Sequence, residues 1–127
     1  MRVRRRGGAT AVRRHWSTDA ELAAALARVV ATCEHITAAG RDRFLADDLD
    51  GQVLRLAGER LIVTLQAVLD DLPESFAEEH ADLPFDGVAG MRRRLAYGYD
   101  YLDARIVWQT LDGRLPEFVR EVLRRLE

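Results

Sequence analysis

The chain has no lysine: all nineteen of its basic residues are arginine. An all-arginine basic set reflects GC-rich coding and points to a high-GC bacterium. Cysteine is nearly absent too. The single Cys33 excludes an internal disulfide and fits a reducing cytoplasm. It falls on an apolar helical stripe and reads as a small buried hydrophobe rather than a reactive thiol. Histidine occurs only at His15, His35 and His80, far apart and never at the four-residue spacing of a helical zinc pair, so metal binding has no motif. Glycine-rich phosphate or dinucleotide loops and the serine-hydrolase elbow are missing as well, and no cofactor is expected. No apolar run is continuous enough for a signal peptide or a membrane span. The expected location is therefore the cytoplasm. A net charge of −2 gives no global attraction to nucleic acid, so any basic patch must be local. Sustained period-two alternation and the Asn-Gly hairpin signal are absent, which argues against a sheet.

What is present in the 127 residues fits one domain with an arm in front of it. Residues 1–16, MRVRRRGGATAVRRHW, carry six arginines and no acid. Such a segment is expected to be disordered; it is either a solvated tail or an arm that adds attraction to RNA or to an acidic partner. Residues 17–127 read as helices. Ser17 or Thr18 caps a first amphipathic helix with Leu22, Leu26, Val29, Cys33 and Ile36 on its apolar stripe, ending near Gly40. RDRFLADDLDG reads as a polar connection in which Phe44 and Leu45 form a short helical turn.

From Val53 to Leu72 apolar residues occupy nearly every side, which suits a helix central to a bundle or lining a dimer interface. Pro73 ends it. A short turn around Phe76 and a stop at Pro84 lead to a further helix with Phe85, Val88, Met91 and Leu95 on one face, weakening near Gly98. The last segment, Leu102 to Leu126, is expected to break or kink at Gly113 and Pro116. The expectation is an all-α, up-down bundle of four to five helices.

Adjacent carboxylates at Asp47 and Asp48, Asp70 and Asp71, and Glu78 and Glu79 point about a quarter turn apart and do not converge on one atom; they read as caps or solvated faces. The informative stretch is residues 91–101, MRRRLAYGYDY. Arginine presents a permanently charged fork suited to phosphate, and tyrosine rings stack on unpaired bases, so Arg92, Arg93 and Arg94 could hold an RNA backbone. On composition alone the preferred reading is that the same arginines solvate a helix and pair with nearby carboxylates.

Residues 83–108, LPFDGVAGMRRRLAYGYDYLDARIVW, resemble the signature of the HepT-like branch of the HEPN ribonucleases. The matching pieces are Pro84 and Phe85, Gly90 to Arg92, Leu95, Gly98 and Tyr99, Asp103, and Val107 with Trp108. The resemblance extends over about residues 17–127, with a departure at Leu65, Gln66 and Ala67, where the family usually has Gly-Glu-Ala. It implies a HEPN-type bundle that forms a homodimer, and an RNA-cleaving toxin whose metal-independent site is composed across the two-fold axis. It further implies an antitoxin, a minimal nucleotidyltransferase that adds AMP to a tyrosine.

By that resemblance the motif arginine is Arg92 and the AMP acceptor is Tyr99, with Arg93 and Arg94 as RNA contacts. The motif histidine falls on Tyr97, and the usual asparagine after the arginine is Arg93. Cleavage by a neighbouring 2′-hydroxyl needs a group that exchanges a proton near neutrality. Imidazole titrates at about 6.5 and a phenol near ~10, so Tyr97 makes a poor general base. Reduced or absent activity is expected, either in a natural degenerate member or through a single-base, inactivating His to Tyr change. A non-catalytic helical adaptor that uses the arginines on nucleic acid or an acidic partner is the competing class.

Overall fold

The computed structural model describes residues 15–97 and 103–127. Among these the regular structure is helical throughout: α1 (Asp19–Thr37), α2 (Arg41–Phe44), α3 (Leu49–Asp70), α4 (Glu74–Glu79), α5 (Phe85–Tyr97), α6 (Ala104–Gln109) and α7 (Leu115–Leu126). A π turn, Thr110–Arg114, joins α6 to α7 without a break. Four long elements thus carry the bundle, and α2 and α4 are single turns between them.

Local chemistry sets each start. Thr18 accepts a hydrogen bond from the Glu21 amide at 3.1 Å, and the Glu21 carboxylate accepts from the Thr18 amide at 3.1 Å, a reciprocal cap that fixes the first turn of α1. The chain before it is held by Asp71, whose carboxylate accepts from the amides of His15 and Trp16 at 3.1 Å each. Gly40, at φ +92°, makes the turn after α1 that other residues would resist.

The long helix starts earlier than the polar look of ADDLDG suggests. Asp48 accepts from the Gly51 amide at 2.8 Å and caps α3 at Leu49, four residues before Val53. Gly51 is needed there because a Cβ would sit 2.2 Å from the Ala46 carbonyl oxygen. Arg55 then donates to the carbonyls of Phe44 and Ala46 at 2.8 Å each, pinning α2 against α3.

The core lies where α1 packs on α3 and α7, with α5 and α6 closing the other side of α3. Leu26, Cys33, Leu65, Val68, Val107, Val119 and Val122 are fully buried. Cys33 donates its S–H to the Leu111 carbonyl at 2.9 Å, and burial pushes its thiol up to about 11, so it packs as an inert hydrophobe. Gly58 lets Leu111 and the Phe44 ring come close, and Phe44 in turn lies 5.3 Å from Trp108.

Gly113 and Pro116 do not interrupt the last helix. The Leu115 amide donates to the Thr110 carbonyl, a five-residue step that widens one turn and absorbs the proline.

One polar pin orients the entry to α5. Arg125, on α7, holds Asp82 through two bonds of 2.8 Å, reaches Glu121 at 2.8 Å and lies 3.3 Å from His80 Nδ1. Arg124 and then Arg125 hold the Glu121 carboxyl down at about 2, below its ordinary 4.5. A depressed carboxylate contributes stability above its unfolded value and loses it as pH falls through the folded one. Glu121→Gln is expected to flatten the loss of thermal stability between pH 4.5 and about 2 and to cost only a few degrees at neutrality. An acid limb identical to the parent's would mean that the pin contributes nothing.

Candidate functional site

α5 exists because Pro84 starts it and its apolar face has somewhere to go. Phe85 meets Phe118 edge-on at 5.5 Å and Phe76 at 6.5 Å, while Val88, Met91 and Leu95 pack against the core. Those anchors dictate what the other faces carry. Arg92, Arg93 and Arg94 occupy consecutive positions in the last two turns, and all three are exposed. Among the described residues none of them is in an ion pair, so the local carboxylates of the solvated-helix reading are not engaged.

The three arginines diverge. Successive helical positions are about 100° apart, so Arg92 and Arg94 face nearly opposite ways. Arg93 lies back along its own helix, its guanidinium 3.9 Å from where a Cβ on Gly90 would be. Arg94 instead reaches the rim of a cleft formed by α3, α5, α6, the π turn and α7, of about 290 Å³. Its floor is Ile62, Val88, Met91, Ile106, Leu115 and Phe118; Gly87, Thr110 and a second arginine, Arg114, also border it. Arg92 and Arg93 lie outside it. Tyr97 is the last residue of α5, and Tyr99 lies outside the described residues, as do Gly98 and residues 1–14 of the arginine arm.

The rest of the signature is architectural. Val107 and Trp108 are buried core residues, and Asp103 caps α6 by accepting from the Arg105 amide at 2.8 Å while holding its guanidinium at 3.0 Å. Arg105 holds the Asp103 carboxyl below the usual carboxylate range. A signature of this kind keeps its exposed arginines on a scaffold specified by its apolar members. Among the described residues no three of His, Cys, Asp and Glu converge as a metal site would need.

A family model described as Ribonuclease HepT-like matches residues 25–125, which spans the motif helix and all of its packing partners. The chain belongs to the HepT-like ribonuclease family. It is similar to a protein of Caldanaerobacter subterraneus subsp. tengcongensis named "Putative RNase", with 28% identity over 97 residues covering 76% of this chain and 87% of that one. A protein of Methanocaldococcus jannaschii with the same name is 25% identical over 81 residues, 64% of this chain and 70% of its own. A second from that organism is 26% identical over 73 residues, 58% and 60% of the two chains. No solved structure matches. The HepT-like match supports a ribonuclease toxin-like role and RNA as the kind of substrate, and among the described residues no helix is long and apolar enough to cross a membrane.

Sequence reasoning found the arginines but missed the cleft beside them. Arg114 lies between Gly113 and Pro116, where a break or kink was expected, and neither Gly87 nor Thr110 stood out in the sequence. Their only common signal is spatial.

Proposed function

We propose that this chain is the toxin half of a prokaryotic toxin–antitoxin pair, a HepT-like ribonuclease whose site is composed from two copies and whose cleavage is impaired by Tyr97. The observation that carries the reading is the HepT-like match over residues 25–125, with Arg92 at the family's motif position, exposed and in no ion pair among the described residues. Arg92 binds the scissile phosphate, for which a planar fork of donors is well matched. Arg93 and Arg94 add phosphate contacts. Position 97 is the proton-transfer position, where a phenol can orient or donate but seldom accept.

The homodimer is supported by an apolar stripe left exposed among the described residues. Leu49, Val53 and Leu56 are 76%, 61% and 56% exposed, at a spacing that puts them on one face of α3. A monomeric surface seldom groups aliphatic side chains in this way. The second half of the same helix, with Leu61, Ile62, Leu65, Val68 and Leu69, is buried within the protomer. The helix therefore divides its apolar residues between a core of its own and a second copy, with the motif helix α5 joining the interface.

The partner is a minimal nucleotidyltransferase that adds AMP to Tyr99, placing negative charge beside the arginines and obstructing RNA. Intact-mass and peptide mass spectrometry after co-expression with the adjacent nucleotidyltransferase should place one AMP on Tyr99. An adduct on another residue, or an unmodified chain, removes this part of the reading. For cleavage, the purified protein should leave single-stranded RNA intact or nearly so. Efficient cleavage that Tyr97→Phe abolishes would instead make Tyr97 a working catalytic group.

A further inference from the structure

We propose that the cleft bordered by Arg94 and Arg114 is a nucleotide subsite: it takes one unpaired base of the RNA, with the attached phosphate between the two guanidinium groups. The inference rests on the ribonuclease reading above and names where a nucleotide flanking the cut is held.

The floor of Val88, Met91, Ile106 and Phe118 is apolar, and the cleft's volume of about 290 Å³ lies at the small end of ligand sites. That suits a single ring system and is too short for a docked helix, which needs a groove several turns long. Cationic groups at the rim of an apolar floor match a ligand with a flat uncharged part and an adjoining anion. The Met91 thioether adds a surface that interacts favourably with an aromatic ring.

Thr110 gives the cleft a sense of direction. Its hydroxyl donates to the Ile106 carbonyl at 2.9 Å, so toward a ligand it offers lone pairs. An amino or imino N–H of a base is the complementary group. Thr110 and Arg114 are the two ends of the π turn, and such widened turns occur often at functional sites.

Gly87 is the fourth element. A Cβ at this position would meet nothing within 4 Å, so packing does not require glycine there. Gly87 sits in the first turn of α5, where glycine costs less than the roughly 1 kcal/mol of a helix interior, and at the rim of the cleft it keeps the backbone of α5 open to a ligand.

Arg92 and Arg94 lie about 200° apart on a helix whose diameter with side chains is about 10 Å. The cleft therefore binds a neighbouring nucleotide rather than the scissile one, and the strand wraps around the last turn of α5.

Two variants test this in the full chain. Gly87→Leu fills the cleft, and Arg114→Ala removes one rim charge; neither position belongs to the motif, and thermal midpoints should stay near the parent's. Binding of a fluorescent single-stranded RNA 10-mer is followed by anisotropy across a salt series. Gly87→Leu is expected to weaken binding roughly tenfold to a hundredfold, the loss typical of one stacked base. Arg114→Ala should reduce the salt slope by about 0.7, one phosphate contact on a single strand. A nucleoside monophosphate should compete with the 10-mer on the parent and not on Gly87→Leu.

If both variants bind RNA as the parent does while Arg92→Ala binds poorly, the subsite is overturned and the ribonuclease reading stands. If they lose only the capture of the co-expressed nucleotidyltransferase, the cleft holds an acidic, apolar segment of that protein and the RNA assignment is overturned. If the parent binds no RNA at any salt concentration, both the subsite and the reading beneath it fail.

Discussion

Tyr97→His should turn expression of this chain into growth arrest in a host that lacks the nucleotidyltransferase, and Arg92→Ala in the same chain should relieve it. The size of the effect follows from proton affinity. At pH 7 a phenol with a pKa near ~10 is ionised in roughly one molecule per thousand, whereas an imidazole near 6.5 exists in both forms in comparable amounts. Well-placed acid–base catalysis contributes on the order of 10² to 10⁴ in rate, so the histidine variant should gain RNA cleavage in about that range. Arg92 contributes by another route, charge placed against the phosphate, so its removal should cancel the gain without unfolding an exposed helix end. A histidine variant that is harmless and cleaves nothing would favour the adaptor reading, in which the arginines hold a partner and no bond is broken.

The second large effect concerns assembly. Val53→Asp combined with Leu56→Asp should convert a dimer into a monomer, seen as a halving of the mass by light scattering, and should abolish the cleavage gained with Tyr97→His. Both side chains are more than half exposed in the protomer, so the fold has little to lose. With 61% of Val53 and 56% of Leu56 still exposed in the protomer, burying the remainder of four such side chains, two from each copy, is worth about 3.5 to 7 kcal/mol before the cost of association. Four carboxylates in the same place face one another without partners, and the sign of the term reverses. Because a composite site needs residues from both copies, monomerisation should remove activity even though each protomer keeps its Arg92. A parent chain that is already monomeric at micromolar concentration would end the composite-site idea.

The helices were legible where one signal dominated. Ser17 or Thr18 followed by acidic residues announced α1, Pro73 and Pro84 bounded α4 and α5, and the apolar spacing placed the core faces of α1 and α5. The start of α3 was not legible, because Leu49 and Gly51 stand among acids and their role depends on Asp48 as a cap and on a backbone contact with Ala46. Local polarity there outweighed a cap whose evidence is geometric. The exposed faces of Arg92, Arg93 and Arg94 could be read because the opposite face of α5 is unmistakably apolar. Arg114 could not be read as their neighbour, because its position depends on packing among elements separated along the chain by tens of residues.

The π turn has an angular consequence. Val107, Leu111, Leu115 and Val119 are four residues apart, and each is buried. In an unbroken α-helix every step of four overshoots a full turn by about 40°, so three steps would swing Val119 through about 120° and out of line with Val107. The wide turn from Thr110 to Arg114 takes back part of that drift. It works as a phase corrector, letting Trp108 meet Phe44 at one end while Val119 and Val122 still face α1 at the other. The same correction brings Arg114 around to the side where Arg94 arrives from α5.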